Sequence, residues 1–287
     1  MKISIIGAGR VGQTLGRLAL QSGYDIGEVV CRSERSALRA AQFIGAGDPL
    51  AAAHAQLSRA DIILISTPDD RINDAVEIIR SNASRTGRGV VLHTSGAMSS
   101  DALAPLIEHG MSTGSCHPLQ TFSSPERALA LVSQCYFCIE GERRAVTAAR
   151  RFARKIGARH FEIATEMKGL YHAAAVMASG GIVALLSMSL EMLSRCGLSE
   201  AESRRILLPL VEGAVANARE EGPARAITGP VRRGDAGTVA KNMQSIASID
   251  ADWAEVYRLL AERSMTLAES AGADEALLAE VRRILGK

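Results

Sequence analysis

At 287 residues the chain is long enough for two domains of ordinary size, each with its own core. Its 47% apolar and 22% charged residues are normal for a soluble globular protein, and with only 3% aromatics the core is expected to be aliphatic. A formal net charge of +2 gives no reason to expect nucleic acid or an acidic membrane surface as partner, and a small-molecule ligand is expected instead.

The chain opens on "KISIIGAG", a buried strand. Its apolar run is short and broken by glycine, with no basic stretch before it, so neither a signal peptide nor a membrane span is read there. The helix "VGQTLGRLALQSG" follows, then the strand "IGEVVC" and the helix "SALRAAQFIG". A third strand "DIILIST", a helix "INDAVEIIRSN", a fourth strand "GVVLHTSG" and a helix "SSDALAPLIEHG" come next. "MSTGSCH" and "CYFCIEG" read as further strands, "ERRAVTAARRFARKIG" as a helix and "RHFEIA" as a last strand. Strands alternating with helices of this length form right-handed crossovers, so an α/β Rossmann domain with a doubly wound, largely parallel sheet is expected over 1–165. From Glu166 the strand signals stop. Helical stretches over 166–196, 199–221, 235–269 and 273–285 predict an all-α second domain, 166–287.

The five cysteines, Cys31, Cys116, Cys135, Cys138 and Cys196, make no disulfide framework. Cys135 and Cys138 form a Cys-x-x-Cys inside a strand, where a redox pair would open a helix and zinc would need two more ligands. Buried thiols, no metal and a reducing cytoplasmic setting are therefore expected.

"GAGRVG", Gly7, Ala8, Gly9, Arg10, Val11 and Gly12, fits G-x-G-x-x-G in the required context, after a strand and opening a helix. Gly7 permits the tight turn, Gly9 a close phosphate, and Gly12 close packing of helix on strand. The helix start offers free N–H groups to the phosphates. An NAD site has an acidic residue about 20 residues further on. Here the second strand ends in "CRSER", and Arg32, Ser33 and Arg35 suit the 2′-phosphate of NADP. Thr67 and Pro68, in "STPDD" at the exit of the third strand, are further cofactor contacts.

Hydride transfer to a carbonyl needs a proton donor beside the nascent alkoxide. Ser95 in "HTSG", the candidate for a substrate or nicotinamide contact, and His117 in "GSCHPLQTF" lie at strand exits. The residue before a proline prefers extended backbone, so His117 is read either as a turn residue or as part of the site, and there as a substrate-placing group. Lys168, His172 and Ser179 in "EMKGLYHAAAVMASGG" are four and seven residues apart, within about 40° on an ideal α-helix, and make one polar stripe. Lys168 or His172 is the expected proton donor. "ITGPVRRGD", with Thr228, Arg232, Arg233 and Asp235, is either a surface turn or a bidentate grip for a carboxylate.

The markers "GAGRVG", "HTSGA", "HPLQTF", "YHAAAVMAS" and "ITGPVRRGD" together resemble a family of bacterial two-domain proteins, with a Rossmann-like N-terminal domain and a C-terminal helical domain of unknown function. The resemblance implies an NADP-dependent oxidoreductase related to the 6-phosphogluconate and 3-hydroxyacid dehydrogenases. Some members look like ketopantoate reductases, and the C-terminal helices in such folds form a homodimer. Two departures stand out. The family commonly has Asn where this chain has Gly180, and the 3-hydroxyacid dehydrogenases pair a helix lysine with an asparagine one turn later, where this chain has His172. The "HTSG…GSCHPLQTF" stretch also looks like the prephenate dehydrogenase region that sets a serine and a His-Pro histidine beside the nicotinamide, although the rest of the chain does not follow that family.

The reading from sequence is thus an NADP-dependent reductase of a small, ketopantoate-like 2-oxo acid, with substrate held between the domains. A pyrroline-5-carboxylate or deazaflavin-linked reductase is one alternative, and a non-catalytic NADP-binding sensor another.

Overall fold

The computed structural model describes residues 1–57, 60–82 and 89–286. They fall into two compact units, Met1–Ser179 and Gly180–Lys287. Strands do end at Glu162, close to the sequence boundary at 165, but the contacts of the following helix keep it with the first unit through Ser179.

The first unit is built on one eight-stranded sheet: β1 (Lys2–Ile6), β2 (Asp25–Cys31), β3 (Asp48–Ala51), β4 (Ile62–Ile65), β5 (Val90–His93), β6 (Ser112–Leu119), β7 (Tyr136–Gly141) and β8 (Arg159–Glu162). Their order is β3-β2-β1-β4-β5-β6-β7-β8, and every pairing is parallel except β6 with β7. The chain leaves β1 toward β2 on one side and returns to β4 on the other. The switch point, where ligands bind in open α/β sheets, therefore lies at the carboxyl ends of β1 and β4.

Alternation along the strands builds a two-sided core. Ile3, Ile5, Ile62, Leu64, Val90 and Leu92 belong to one buried cluster, and Ile6, Ile63, Ile65 and Val91 to the other. Side chains of a strand alternate between faces, and both faces here are covered. On the first face lie α1 (Arg10–Gln21), α2 (Glu34–Ile44) and, after the short α4 (Pro125–Leu131), α5 (Arg143–Lys155). On the second lie α3 (Ile72–Ser81) and a 3₁₀ segment, Ser100–His109. That segment was expected to be an α-helix. Pro105 inside it has no N–H for an i→i−4 bond and crowds the carbonyl four residues back, which favours the tighter winding.

Two strand features escaped the sequence pattern. β3, "DPLA", is a four-residue edge strand, a position that tolerates proline. β6 runs on past the end of β5: the last paired residues are His93 and Ser115, while β6 stays paired with β7 out to Leu119. His117 and Pro118 thus stand in a strand whose one flank is open. That accommodates the proline and makes His117 a strand residue, not a turn.

The helix after β8 is α6 (Lys168–Val176), continued by a π-helical turn Met177–Gly181. The second unit contains α7 (Ile182–Arg195), α8 (Glu200–Glu221), the short α9 (Pro223–Ala226), α10 (Ala236–Ala247), α11 (Ala251–Ser270) and α12 (Glu275–Ile284). The stretch expected as one helix over 235–269 is two, because the Asp250 carboxylate accepts the backbone N–H groups of Asp252 and Trp253 and caps a new start. Val239, Met265, Ala268, Leu278 and Val281 form this unit's core. α7 contributes no buried residue and α8 only Ser203. By length and composition the run Thr165–Arg195 could cross a membrane.

Candidate active site

At the switch point the glycine loop does what its spacing predicts. Gly7 has φ +85°, and a Cβ there would lie 2.6 Å from the Thr67 backbone nitrogen. A Cβ on Gly12 would meet Ser66 Oγ at 2.4 Å, so helix and strand close only over glycine. Gly9 differs: the nearest atom to a Cβ there is 4.0 Å away, which leaves the loop open on the side where a phosphate would approach. No side chain caps α1, and Gly9 is its N-cap residue, so the first N–H groups of the helix remain available.

Beside this loop lies a cavity of about 490 Å³, lined among others by Gly7, Arg32, Ser36, Thr67, Pro68 and Arg71. The Thr67 hydroxyl is buried and without a hydrogen-bond partner, as expected of a group that waits for a ligand. Of the basic turn, Arg32 lines the cavity. Ser33 spends its hydroxyl accepting the Ser36 N–H as the N-cap of α2, and Arg35 is exposed and not among the lining residues. Arg71, which the motif reading passed over, pairs with Asp74 and Asp70 at the cavity wall.

Further along the same sheet edge, a second cluster forms from β5, β6, β7 and α6. Ser95 does not project into open space: its hydroxyl accepts the backbone N–H groups of Ala97 and Met98, so it holds the turn after β5. Ser99 is the N-cap residue of the 3₁₀ segment but caps it with no side-chain bond and donates to Asp101, and Ser100 donates its N–H and its hydroxyl to the buried Glu140 carboxylate. His93 Nδ1 accepts the Ser95 N–H while Nε2–H donates to the Ser99 carbonyl. With both ring nitrogens committed and the ring buried, desolvation first and the Lys168 charge second pull its pKa down to about 4.

The polar stripe on α6 separates into three fates. Lys168 is only 2% exposed and donates to Ser115 Oγ at 2.6 Å. It is therefore withdrawn from the position of a substrate-touching proton donor. His172 turns toward His117, ring centroids 5.9 Å apart and nearly perpendicular. Ser179 stays exposed and donates to the Ala175 carbonyl of its own helix. The π turn explains the loss of Ser179: extra residues per turn rotate everything beyond Val176 away from the stripe that α-helical spacing predicts.

His117 Nδ1 is hydrogen-bonded to the Tyr171 hydroxyl at 2.7 Å, and the Tyr171 ring packs edge-on against Phe161. Burial, then the charge of Lys168, hold the His117 pKa down at about 3. The ring is consequently neutral across the physiological range. Burial also raises the Tyr171 hydroxyl above its ordinary value, so it remains a neutral O–H. The two free imidazole edges meet over Gly96. A Cβ on Gly96 would lie 2.3 Å from His172 Nδ1 and 2.9 Å from His117 Nε2. His172 Nδ1 is buried and has no partner. An unengaged ring nitrogen beside a neutral second imidazole is a site for a polar ligand atom that both nitrogens can contact.

Other sequence candidates have structural work. In the second unit Val231 enters the core, Arg232 donates to the Ala268 carbonyl, and Asp235 caps α10 by accepting the Thr238 N–H. Cys116, Cys135 and Cys138 are buried free thiols, and burial pushes Cys116 up to about 12. Among the described residues no group of three or more His, Cys, Asp or Glu is arranged to hold a metal ion. In this second cluster the sequence reading missed Tyr171 and Gly96. Tyr171 adjoins His172 in "YHAAAV", and its hydroxyl is matched to His117 only by the fold.

Residues 1–118 match the Rossmann-like domain family, and residues 135–264 match a domain of unknown function, DUF2520. Protein TM1727 from Thermotoga maritima is 28% identical, with 94% of this chain and 99% of that one covered and a TM-score of 0.73. A Bacteroides fragilis protein described as a candidate NADP oxidoreductase, BF3122, is 23% identical over 92% of this chain and 98% of its own, with a TM-score of 0.74. An imine reductase from Myxococcus stipitatus in complex with NADP+ is 16% identical over 99% of this chain and 100% of its own, with a TM-score of 0.63. No curated protein matches the chain.

Proposed function

We propose that this chain, a Rossmann-like domain followed by a DUF2520 domain, is an NADP-dependent reductase of a small oxo acid. The observation that carries the reading is the unpartnered, buried Nδ1 of His172 facing the neutral His117 over Gly96, on the same sheet edge as the glycine loop. The open face of Gly9, the orphan hydroxyl of Thr67 and the cavity beside them fit a dinucleotide, with Arg32 suited to a 2′-phosphate. When bound, the nicotinamide supplies the hydride. The protein's own part is to hold the substrate oxygen and to protonate it. His172 Nδ1 carries the proton to that oxygen, and His117, fixed through Tyr171, places it.

The names of similar structures, imine reductases and pyrroline-5-carboxylate reductases, supply the second reading, reduction of a C=N bond. A panel of 2-oxo acids (ketopantoate included) and cyclic imines, followed by NADPH oxidation, separates the two. The expected outcome is turnover of an oxo acid, and a fall of about 10²- to 10⁴-fold in His172→Gln with NADPH affinity unchanged. Tight NADPH binding with none of the panel reduced would leave a nucleotide-binding sensor.

A homodimer through the C-terminal helices is part of the same reading. Its support is the apolar surface of α7 and α8, where Val183 is 67% and Leu210 69% exposed.

A further inference from the structure

Lys168 is a costly side chain to bury. An ammonium taken out of water costs several kcal/mol unless it is well compensated. Its hydrogen-bond partner is a neutral serine hydroxyl, and the nearby Glu140 carboxylate already accepts from Ser100 N–H, Ser100 Oγ and Thr165 Oγ1. Ser115 in turn donates to the Ser95 carbonyl at 3.4 Å, inside the turn that carries Gly96. The ammonium lies 5.5 Å from the centroid of the Tyr171 ring, whose hydroxyl holds His117, and His172 is one helical turn further along α6. The ammonium is bonded to a hydroxyl and to no carboxylate, with Glu140 and Asp69 as its nearby counter-charges, and its charge is felt at His117.

We propose that Lys168 is a positioning residue that acts through Ser115 and Tyr171, and that its buried charge makes the pocket over Gly96 select carboxylate-bearing carbonyl compounds against cationic imines. The reading rests on the reductase assignment above. The groups that face His117 are His93 on β5, Cys138 opposite it on β7, and Lys168, Tyr171 and His172 on α6. Of these, Lys168 is the group whose charged form is a lysine ammonium; burial lowers its pKa from the ordinary value, and the nearby Glu140 and Asp69 carboxylates act to raise it. Its removal makes protonation of His117 easier, so the midpoint moves upward from about 3, while burial, the larger cause, keeps it below the ordinary imidazole value. A carboxylate brought to the pocket gains from the same charge, whereas an iminium is repelled.

The test uses the full chain with NADPH, and 2-oxobutyrate, 2-butanone and 2-methyl-1-pyrroline as anionic, neutral and cationic-on-protonation probes. In Lys168→Met the KM for 2-oxobutyrate is expected to rise on the order of tenfold or more while that for 2-butanone is unchanged. Lys168→Arg is expected to recover most of the loss. The ¹⁵N ring signals of His117 should titrate at higher pH in Lys168→Met than in the parent. An equal KM rise for both ketones, or a His117 titration that does not move, overturns the proposal. If Lys168→Met does not fold, Ser115→Ala carries the test. It is expected to shift both readouts in the same direction by less, and no shift in either overturns the proposal. Should the parent reduce none of the three probes and none of the wider panel of 2-oxo acids and cyclic imines, the reductase reading falls, while the His117 titration still decides the electrostatic role.

Discussion

The two ends of the same sheet edge are built on opposite plans. At the carboxyl ends of β1 and β4 one glycine keeps space open: no atom comes nearer than 4.0 Å to where a Gly9 Cβ would stand, and a cavity of about 490 Å³ lies alongside. At the ends of β5 and β6 the glycine is there for the opposite reason, because Gly96 lets two imidazoles close over the backbone. One end is an open cradle that presents backbone N–H groups and a few polar tips. The other is a packed set of side chains in which His117, Tyr171, His172 and Lys168 depend on one another. On the proposed function, a cofactor common to many enzymes needs only the first plan, and chemistry particular to one substrate needs the second, since ring nitrogens must be held to within fractions of an ångström.

The sharpest way to separate the two ends is Gly96→Ala. The new methyl would sit 2.3 Å from His172 Nδ1, so the histidines must part, and turnover is expected to drop on the order of 100-fold. NADPH affinity by fluorescence titration should be unchanged, and a loss of both together would mean the ends are not independent. Gly7→Ala makes the converse cut. A β-carbon at φ +85° pressed on the Thr67 backbone costs about 1–3 kcal/mol, and NADPH affinity is expected to fall about tenfold while the His117 ring titration stays put.

The smallest effect is on stability. Folded His93 and His117 have values near 4 and 3, below the unfolded value of about 6.5. Between those limits the unfolded chain binds more protons, so stability is full above about pH 6.5 and is lost as pH falls toward 3. Acidifying from pH 7 to 5 is expected to lower the thermal midpoint by several degrees, and His93→Gln to remove about half of that slope. An unchanged slope in His93→Gln would show that His93 is not among the groups that resist acid.

Much of the first end was legible because its signals are local. A strand, a glycine spacing and a helix start are contiguous, and the geometry of Gly7 and Gly12 follows from that order. Lys168 and His172 were legible as polar points on an apolar helix, and His117 as a histidine before proline at a strand exit. Their relations were not. Helical spacing grouped Ser179 with them, which holds for an α-helix and fails at the π turn Met177–Gly181. Lys168 read as a proton donor because it shares one helix face with His172 and hydride transfer to a carbonyl needs such a donor. The fold gives it to Ser115 of another strand. Ser95 read as a substrate contact, and its hydroxyl closes a turn whose shape local sequence does not specify.

Alternating apolar residues, glycine spacing and the shift to long helices after residue 165 determined the class of fold and the place of the nucleotide loop, because those signals act between neighbours in the chain. Which histidine nitrogen is free, and which charge lies behind it, was decided by tertiary structure. Those properties arise where β5, β6, β7 and α6 meet, with partners such as His117 and Tyr171 separated by 54 positions, and no local rule fixes the distance between them.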